Sequence, residues 1–344
     1  MGAIVTELAE SGGRFKNPTL RDVARLAGVS IATASKALNG RDHIHPDTRI
    51  RVLDAARRIS FTPNALARGL LAGQTGAVGL IMGDLDGRFS IPILMGAEDA
   101  FGTGKMSIFL CDARGDAIRE QYHLQALLGR RVDGLIVVGS TTNPRPSLGA
   151  DLPVPVVYAY GPSTDPNDIS LIPNNVQAGT DAAAHLIKRG RTRIAHITGD
   201  IRYTAAEDRA RGIEAALALS GLELVGGEAH YGRWSEEWGR NATARLLMQH
   251  PDTDAILCGN DQIARGALDI LRESGCDVPG RIAVMGFDNW EVFTSGARPH
   301  LTSVDMNLEM LGRAAAKLLF QAIDGDRAGR IEQLPCRVVA RETT

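Results

Sequence analysis

The chain changes its hydrophobic rhythm near residue 61: before it apolar side chains recur at helical spacing, and from Ala77 onward short unbroken apolar runs alternate with helical stretches. Thr19 followed three residues later by Asp22 is a capping-box pattern, and Val23, Ala24 and Ala27 mark the apolar face of a helix that starts at Leu20. Gly28 supplies a residue that tolerates a left-handed backbone, Val29 plugs the turn, and Ser30 caps a second helix whose inner face holds Ala34 and Leu38. The small Ala24 and Ala34 allow the two helices to cross closely. A third helix begins around Pro46 and places Val52, Ala55, Ala56 and Ile59 at i, i+3, i+4 and i+7.

Two short helices joined by a Gly-containing turn and buttressed by a third predict a helix-turn-helix, with the second helix entering a DNA major groove. The alternative is an ordinary three-helix cap. On the DNA reading Ile31, Ala32 and Lys36 face base edges: the first two offer apolar contact to a thymine methyl, and Lys36 donates to guanine O6 and N7. Thr19, Ser30, Thr33 and Asn39 are the phosphate-contact candidates. The stretch from Thr62 to Leu71 reads as a helix of one to two turns, too short to persist alone in water, followed by a linker through Gly76.

Beyond Ala77 the apolar runs are Val78 to Met82, Ser107 to Cys111, Gly134 to Val138, Val154 to Ala159, Ile194 to Thr198, Ala255 to Cys258 and Ile282 to Phe287. Their alternation with helical stretches predicts parallel sheets covered by helices. Many end on a polar group: Asp84, Asp112, Ser140, Tyr160, Asp200, Asn260 with Asp261, and Asp288. Open α/β sheets bind ligands beyond the carboxyl ends of their strands, so such residues converge on a cleft. Asp112 and Asp200 read as helix caps rather than ligand contacts.

Composition sharpens this picture. At 344 residues the chain exceeds one ordinary core, so two or more domains are expected. Hydrophobic residues at 44% and charged residues at 23% are globular values, and no apolar run approaches the roughly 18 residues of a membrane span. The first 17 residues lack the basic start and apolar stretch of a signal peptide, so a cytoplasmic, nucleoid-associated protein is expected. Cys111, Cys258, Cys276 and Cys336 have no paired ligand spacing, which predicts reduced thiols and neither a metal nor another cofactor. The net charge of −2 conceals a basic segment from Arg14 to Gln74, where eleven bases face four acids. Such a field suits a polyanion, because each phosphate neutralised releases condensed counterions.

The stretch Thr19-Leu20-Arg21-Asp22-Val23-Ala24-Arg25-Leu26-Ala27-Gly28-Val29-Ser30, the following Ser35-Lys36-Ala37-Leu38-Asn39-Gly40, and Pro63-Asn64-Ala65-Leu66-Ala67-Arg68 closely resemble the head and hinge of the lac-repressor (LacI/GalR) family. Supporting stretches continue to the C-terminus: Val132-Asp133-Gly134-Leu135-Ile136, Gly259-Asn260-Asp261-Gln262-Ile263-Ala264, Val284-Met285-Gly286-Phe287-Asp288 and Leu301-Thr302-Ser303-Val304. The resemblance implies an all-α helix-turn-helix head with a hinge helix, joined to a two-lobed α/β domain of the type I periplasmic-binding-protein fold. The expected boundaries are a flexible tail at 1–17, the DNA-binding domain at 18–61, hinge helix and linker at 62–75, and the ligand-binding and dimerisation domain at 76–344.

By the same resemblance, two hinge helices pair and push a leucine into the minor groove, and Leu70 holds that position. Arg209, Trp234, Asn260 and Asp288 match effector-binding positions, with Asp84, Phe89 and Tyr160 as further candidates. Arg, Asn and Asp offer paired donors and acceptors to adjacent hydroxyls, and an aromatic ring covers the apolar face of a sugar. Trp234 and Phe89 also read as plain core, and Arg209 as a surface helix charge. The chain departs from the family pattern at Ile31-Ala32, Gly69, Gly83, Arg191 and Met306, the last standing where Gln is common.

The implied function is a transcriptional repressor of carbohydrate-uptake or catabolic genes, released by a sugar or sugar derivative. Its expected partners are double-stranded operator DNA, a small-molecule effector, and a second copy of the chain in a homodimer or a tetramer. The rival readings are a sugar- or nucleotide-transforming enzyme and a free sugar-binding protein of the same fold. The sequence has no Gly-x-Gly-x-x-Gly after a strand, no metal-binding histidine pair and no complete P-loop, so no catalytic residue is assigned.

Overall fold

The structure, a computed structural model, describes residues 18–38, 44–61, 75–85, 87–102 and 106–344. The chain divides into two compact units, one ending at Thr75 and one running from Gly76 to Thr344.

In the first unit α1 (Leu20–Ala27), α2 (Ile31–Leu38) and α3 (Pro46–Arg58) form the expected trio. Both halves of the capping box close on α1: the Thr19 hydroxyl accepts from the Asp22 amide, and the Asp22 carboxylate accepts from the Thr19 amide at 2.9 Å. Gly28 ends the helix at φ 66°, the left-handed conformation that carries a penalty for any side chain with a Cβ. The core is mostly alanine, with Ala24, Ala27, Ala34, Ala37, Ala55 and Ala56 around Val23 and Val52. Leu38 and Ile59 are half-buried at its edge. Helices faced with alanine approach closely, so a small core suffices for three short elements.

The second unit holds two six-stranded sheets. The first comprises β1 (Ala77–Met82), β2 (Ser107–Asp112), β3 (Gly134–Val138), β4 (Val156–Ala159), β5 (Ile169–Pro173) and β11 (Arg330–Leu334), all parallel, in the order β11-β5-β4-β3-β1-β2. The second comprises β6 (Ile194–Thr198), β7 (His230–Tyr231), β8 (Ala255–Cys258), β9 (Ala283–Phe287), β10 (Thr302–Asp305) and β12 (Arg337–Val339), in the order β12-β10-β9-β8-β6-β7. Only β12 runs antiparallel to its neighbour. The chain passes between the sheets after β5, after β10 and after β11, which builds two lobes from interleaved segments.

Buried strands flanked by helices explain the continuous apolar runs: every residue of β3, β6, β8 and β9 is buried. In the first lobe α4 (Ser90–Phe101) and α5 (Ala117–Gly129) follow β1 and β2, and α11 (Leu308–Ile323) returns to pack on α4. In the second lobe α6 (Asn175–Lys188) crosses α7 (Thr204–Leu219), and α8 (Glu236–Gln249) packs on α9 (Asp261–Glu273). The short α10 (Glu291–Thr294) follows β9. The α6/α7 crossing is set by paired glycines: a Cβ on Gly179 would lie 2.3 Å from the Arg209 carbonyl oxygen, and one on Gly212 would lie 2.0 Å from that of Val176. Hydrogen at these two positions lets the backbones touch, which fixes Arg209 against α6.

Candidate functional site

Arg209 sits on the buried side of α7 with its side chain only 3% exposed. Its Nε donates to Asn175 Oδ1 at 2.9 Å, Nη1 donates to the Gly259 carbonyl at 2.5 Å, and Nη2 lies 3.7 Å from Asp288 Oδ1. The guanidinium also lies 4.4 Å from the Phe287 ring centroid. Its remaining contact is Met306 Sδ at 3.3 Å, a weak acceptor. The residue that also reads as a surface helix charge in isolation is therefore a buried cation beside Asp288.

Asp288 follows β9 and is equally buried. Its backbone is left-handed at φ 97°, as is that of Tyr160 at φ 72° after β4. Non-glycine residues in this region carry about 1–3 kcal/mol of strain, a cost that concentrates at functional sites. Across the cleft, Arg88 of the β1–α4 loop reaches from the first lobe into the second. Its Nη2 donates to Asp288 Oδ2 at 2.5 Å and its Nη1 to Gln262 Oε1 at 3.3 Å. The Arg88 guanidinium lies 4.7 Å from the Phe89 ring centroid and 5.1 Å from that of Trp290, one ring from each lobe. A cavity of about 290 Å³ opens here, lined by Arg88, Phe89, Asp288 and Trp290 among others.

Two atoms of this cluster are buried without a hydrogen-bond partner, Arg88 Nε and Asp288 Oδ1. Burial raises the Asp288 pKa while Arg88 and Arg209 pull it back. Asp261, next to Asn260, accepts from Ser303 Oγ at 2.6 Å and from the Trp290 amide at 2.7 Å. Burial first and the charge of Asp288 second push its carboxyl up to about 8. Burial also raises the Tyr160 pKa, helped by Asp288, so the phenol stays a neutral donor and acceptor.

The structure brings together Arg209, Asp288, Tyr160, Phe89 and Asn260. The Phe89 and Tyr160 rings stack at 5.0 Å. Asn260 caps α9 through Ile263 N at 2.8 Å and reaches Gln262 Oε1 at 3.4 Å, the same oxygen that accepts from Arg88. Two candidates stand outside this network. Asp84 is exposed and accepts from the Gly87 amide at 2.9 Å. Trp234 lies against Gly199, where a Cβ would enter its ring, and meets Tyr203 edge-on at 5.8 Å. Asp112 and Asp200, expected as caps, instead hold the turns that follow them by accepting from the amides of Arg114 and Arg202. Sequence reasoning missed Arg88, Gln262, Trp290 and Asn175. Arg88 adjoins the candidate Phe89, but a lone arginine in a loop reads as solvated until its partner across the cleft is known.

On the head, Ile31 and Ala32 are exposed in the first turn of α2, and Lys36 is exposed one turn on. The Ser30 and Thr33 hydroxyls are 2.8 Å apart, and Ser30 Oγ accepts from the Thr33 amide at 3.1 Å. The Thr19 hydroxyl is held by Asp22 at 2.6 Å. Arg21, Arg25, Lys36, Arg51, Arg57 and Arg58 are exposed, so the positive charge is displayed on the surface. Asn39, Leu70 and the expected hinge helix lie outside the described residues.

Residues 19–64 match the family described as bacterial regulatory proteins, lacI family, and residues 183–344 match the periplasmic binding protein-like domain. The chain is 33% identical over 331 residues to catabolite control protein A of Priestia megaterium, covering 95% of this chain and 99% of that protein. Among solved structures it resembles the lac repressor dimer bound to operator and the anti-inducer ONPF, at 27% identity and a TM-score of 0.78 over 96% of this chain and 99% of that one. It also resembles a complex of the transcriptional regulator CelR with cellobiose, at 29% identity and a TM-score of 0.65 over 95% of this chain and all of that one. Identity at this level over nearly the whole length, with both the head and the two-lobed fold in place, means that the chain belongs to the lacI family of bacterial regulatory proteins and is a ligand-responsive, DNA-binding transcriptional regulator.

Proposed function

We propose that this regulator is a cytoplasmic, homodimeric repressor that binds a near-palindromic operator and is released by a sugar-like effector held in the Arg88–Asp288 cleft. The observation that carries the effector assignment is a donor and an acceptor buried without a hydrogen bond, Arg88 Nε and Asp288 Oδ1, the latter facing the Arg209 guanidinium at 3.7 Å. A hydroxyl group is at once acceptor and donor and satisfies both, while Phe89, Tyr160 and Trp290 supply ring faces for the apolar side of a sugar. The effector-binding set is then Arg209, Asn260, Asp288, Tyr160 and Phe89, with Arg88 added and with Trp234 and Asp84 at its margin. The cellobiose complex of CelR supports a saccharide in such a cleft, and the operator complex of the lac repressor supports the DNA role of the head.

Dimerisation fits an apolar surface on the first lobe. Edge strand β2 exposes Phe109 and Leu110, and the helices on either side of it in the chain expose Ile91, Met95, Ile118 and Tyr122. Uncovered apolar side chains beside a free strand edge mark an association surface. The chain acts by binding alone, and its role involves no catalysis. In each head Ile31, Ala32 and Lys36 read bases while Thr19, Ser30, Thr33 and Asn39 contact phosphates, and Leu70 wedges the operator centre. Gel retardation of an operator fragment, repeated with a panel of mono- and disaccharides, tests the proposal. One saccharide should release the DNA; retardation unaffected by every saccharide that binds would overturn it.

A further inference from the structure

The charge of the cleft floor does not balance. Arg88 and Arg209 both point at one carboxylate, Asp288, whose two oxygens lie 2.5 Å and 3.7 Å from them. All three side chains are withdrawn from water, with exposures of 16%, 3% and 3%. The other titratable groups nearby leave the excess in place. Asp261 has its two oxygens taken by the Ser303 hydroxyl and the Trp290 amide and makes no close ion pair with either guanidinium, and burial raises its pKa. His196, buried on β6, is held down to about 4 by burial and adds no positive charge. At the cavity rim Asp305 and Glu309 are engaged by Arg337 and Arg313, and Glu291 faces solvent. Two guanidinium ions thus share one counter-ion in a poorly solvated site, and an uncompensated buried charge is costly.

Arg88 also retains unused hydrogen-bonding capacity. A guanidinium has five N–H donors in a plane, and here one meets Asp288, one meets Gln262 at a long 3.3 Å, and Nε meets nothing. The Phe89 and Trp290 rings pack within 4.7 Å and 5.1 Å of that guanidinium and restrict its movement. A rigid, partly unpaired guanidinium beside a hydroxyl-binding floor suits an acceptor-only, negatively charged group, which it can engage through paired donors.

Building on the sugar-like reading above, we infer that Arg88 is a specificity-determining residue, selecting an effector that carries an anionic group, a carboxylate or a phosphate, on a polyhydroxylated ring or chain. The anion restores neutrality at the floor, and the hydroxyls take the donors and acceptors of Arg209, Asn260 and Asp288. An uncharged sugar of the same shape leaves the second guanidinium without a counter-ion, so discrimination arises from charge rather than from size.

Matched triplets test this with the full-length protein: glucose, glucuronate and glucose 6-phosphate, the corresponding galactose set, and gluconate with its neutral alditol, each titrated calorimetrically. The inference predicts that an acid or a phosphate binds at least about tenfold more tightly than its neutral counterpart. The carboxylate and phosphate arms identify which anion is meant. Arg88→Gln should bring that ratio close to one, and Arg88→Lys, which keeps the charge without the fork, should restore part of it. A neutral member that binds as tightly as its acids, or a ratio unchanged in Arg88→Gln, would overturn the inference while leaving the saccharide reading intact. Neutral binders elsewhere in the panel alongside silence from every acid would do the same. Silence from every compound would defeat the saccharide reading as well.

Discussion

Replacing Asp288 by Asn probes the cleft most severely. The substitution keeps shape and removes one negative charge from a site that holds two guanidinium groups, each at or below 16% exposure. Breaking a buried pair by removing one partner costs about 3–5 kcal/mol, because the surviving charge stays buried without compensation. Here two charges are left, so the upper end of that range is expected. Arg88→Gln is milder: Asp288 keeps Arg209 at 3.7 Å, and Arg88 is the more exposed partner, so the expected cost is about 1–3 kcal/mol. The double variant should cost less than the sum of the two by about 2 kcal/mol, since the second change removes a charge already stranded by the first. Urea unfolding of the four proteins, followed by a signal from the large unit, gives the three differences. Additivity to within about 0.5 kcal/mol would refute the claim that Arg88 and Asp288 interact across the cleft.

Gly179→Ala should lower stability by about 1–3 kcal/mol and weaken effector binding, because the new methyl meets the Arg209 carbonyl at 2.3 Å and displaces α7; thermal unfolding and calorimetry measure both. His196 is buried with Nδ1 2.8 Å from the Leu257 carbonyl, and burial depresses its pKa to about 4. The unfolded chain therefore binds the extra proton first, and the stability this residue contributes is present above pH 6.5 and falls as the pH drops toward 4, by about 3 kcal/mol in all. Unfolding free energies of wild type and His196→Gln measured across that window should converge as the pH falls; parallel curves would exclude the linkage. Lys36→Ala should cost about 1–3 kcal/mol in operator affinity and relax preference at one base pair per half-site, whereas equal loss on all sequences would make Lys36 a phosphate contact.

The head was almost wholly legible in the sequence because its signals are local. Thr19 and Asp22, Gly28, Ser30 and Pro46 each act within four residues, and the alanine face follows helical spacing. The long buried strands were legible as apolar runs, but β5, β7, β10, β11 and β12 were not singled out. β7 is two residues long, β11 is largely exposed and β12 is a short antiparallel edge, while the buried β5 and β10 carry Ser170 and Thr302-Ser303, which break their apolar runs. The interleaving of the lobes depends on where β11 and β12 dock, which is a long-range property. In the cleft, Arg209, Asn260 and Asp288 came from family likeness and the rule of strand ends. Arg88 did not, since its meaning depends on a carboxylate 200 residues away. The left-handed backbone at Tyr160 and Asp288 was not legible either, because tyrosine carries no signal for positive φ and aspartate a far weaker one than glycine.

A ligand in the cleft is proposed to set the affinity of the head for DNA. The most direct test is an anisotropy titration of one labelled operator, with and without the cleft ligand, using wild type and Asn260→Ala. Asn260 belongs to the cleft network and is fully buried, in the unit that does not contain the head. Wild type should lose at least about tenfold in operator affinity when the ligand saturates, a coupling of about 1.4 kcal/mol. The variant should bind operator as wild type does without ligand and show no change on its addition. Operator affinity in wild type that is indifferent to a bound cleft ligand, or a variant that still responds at the same ligand concentration, would contradict the account.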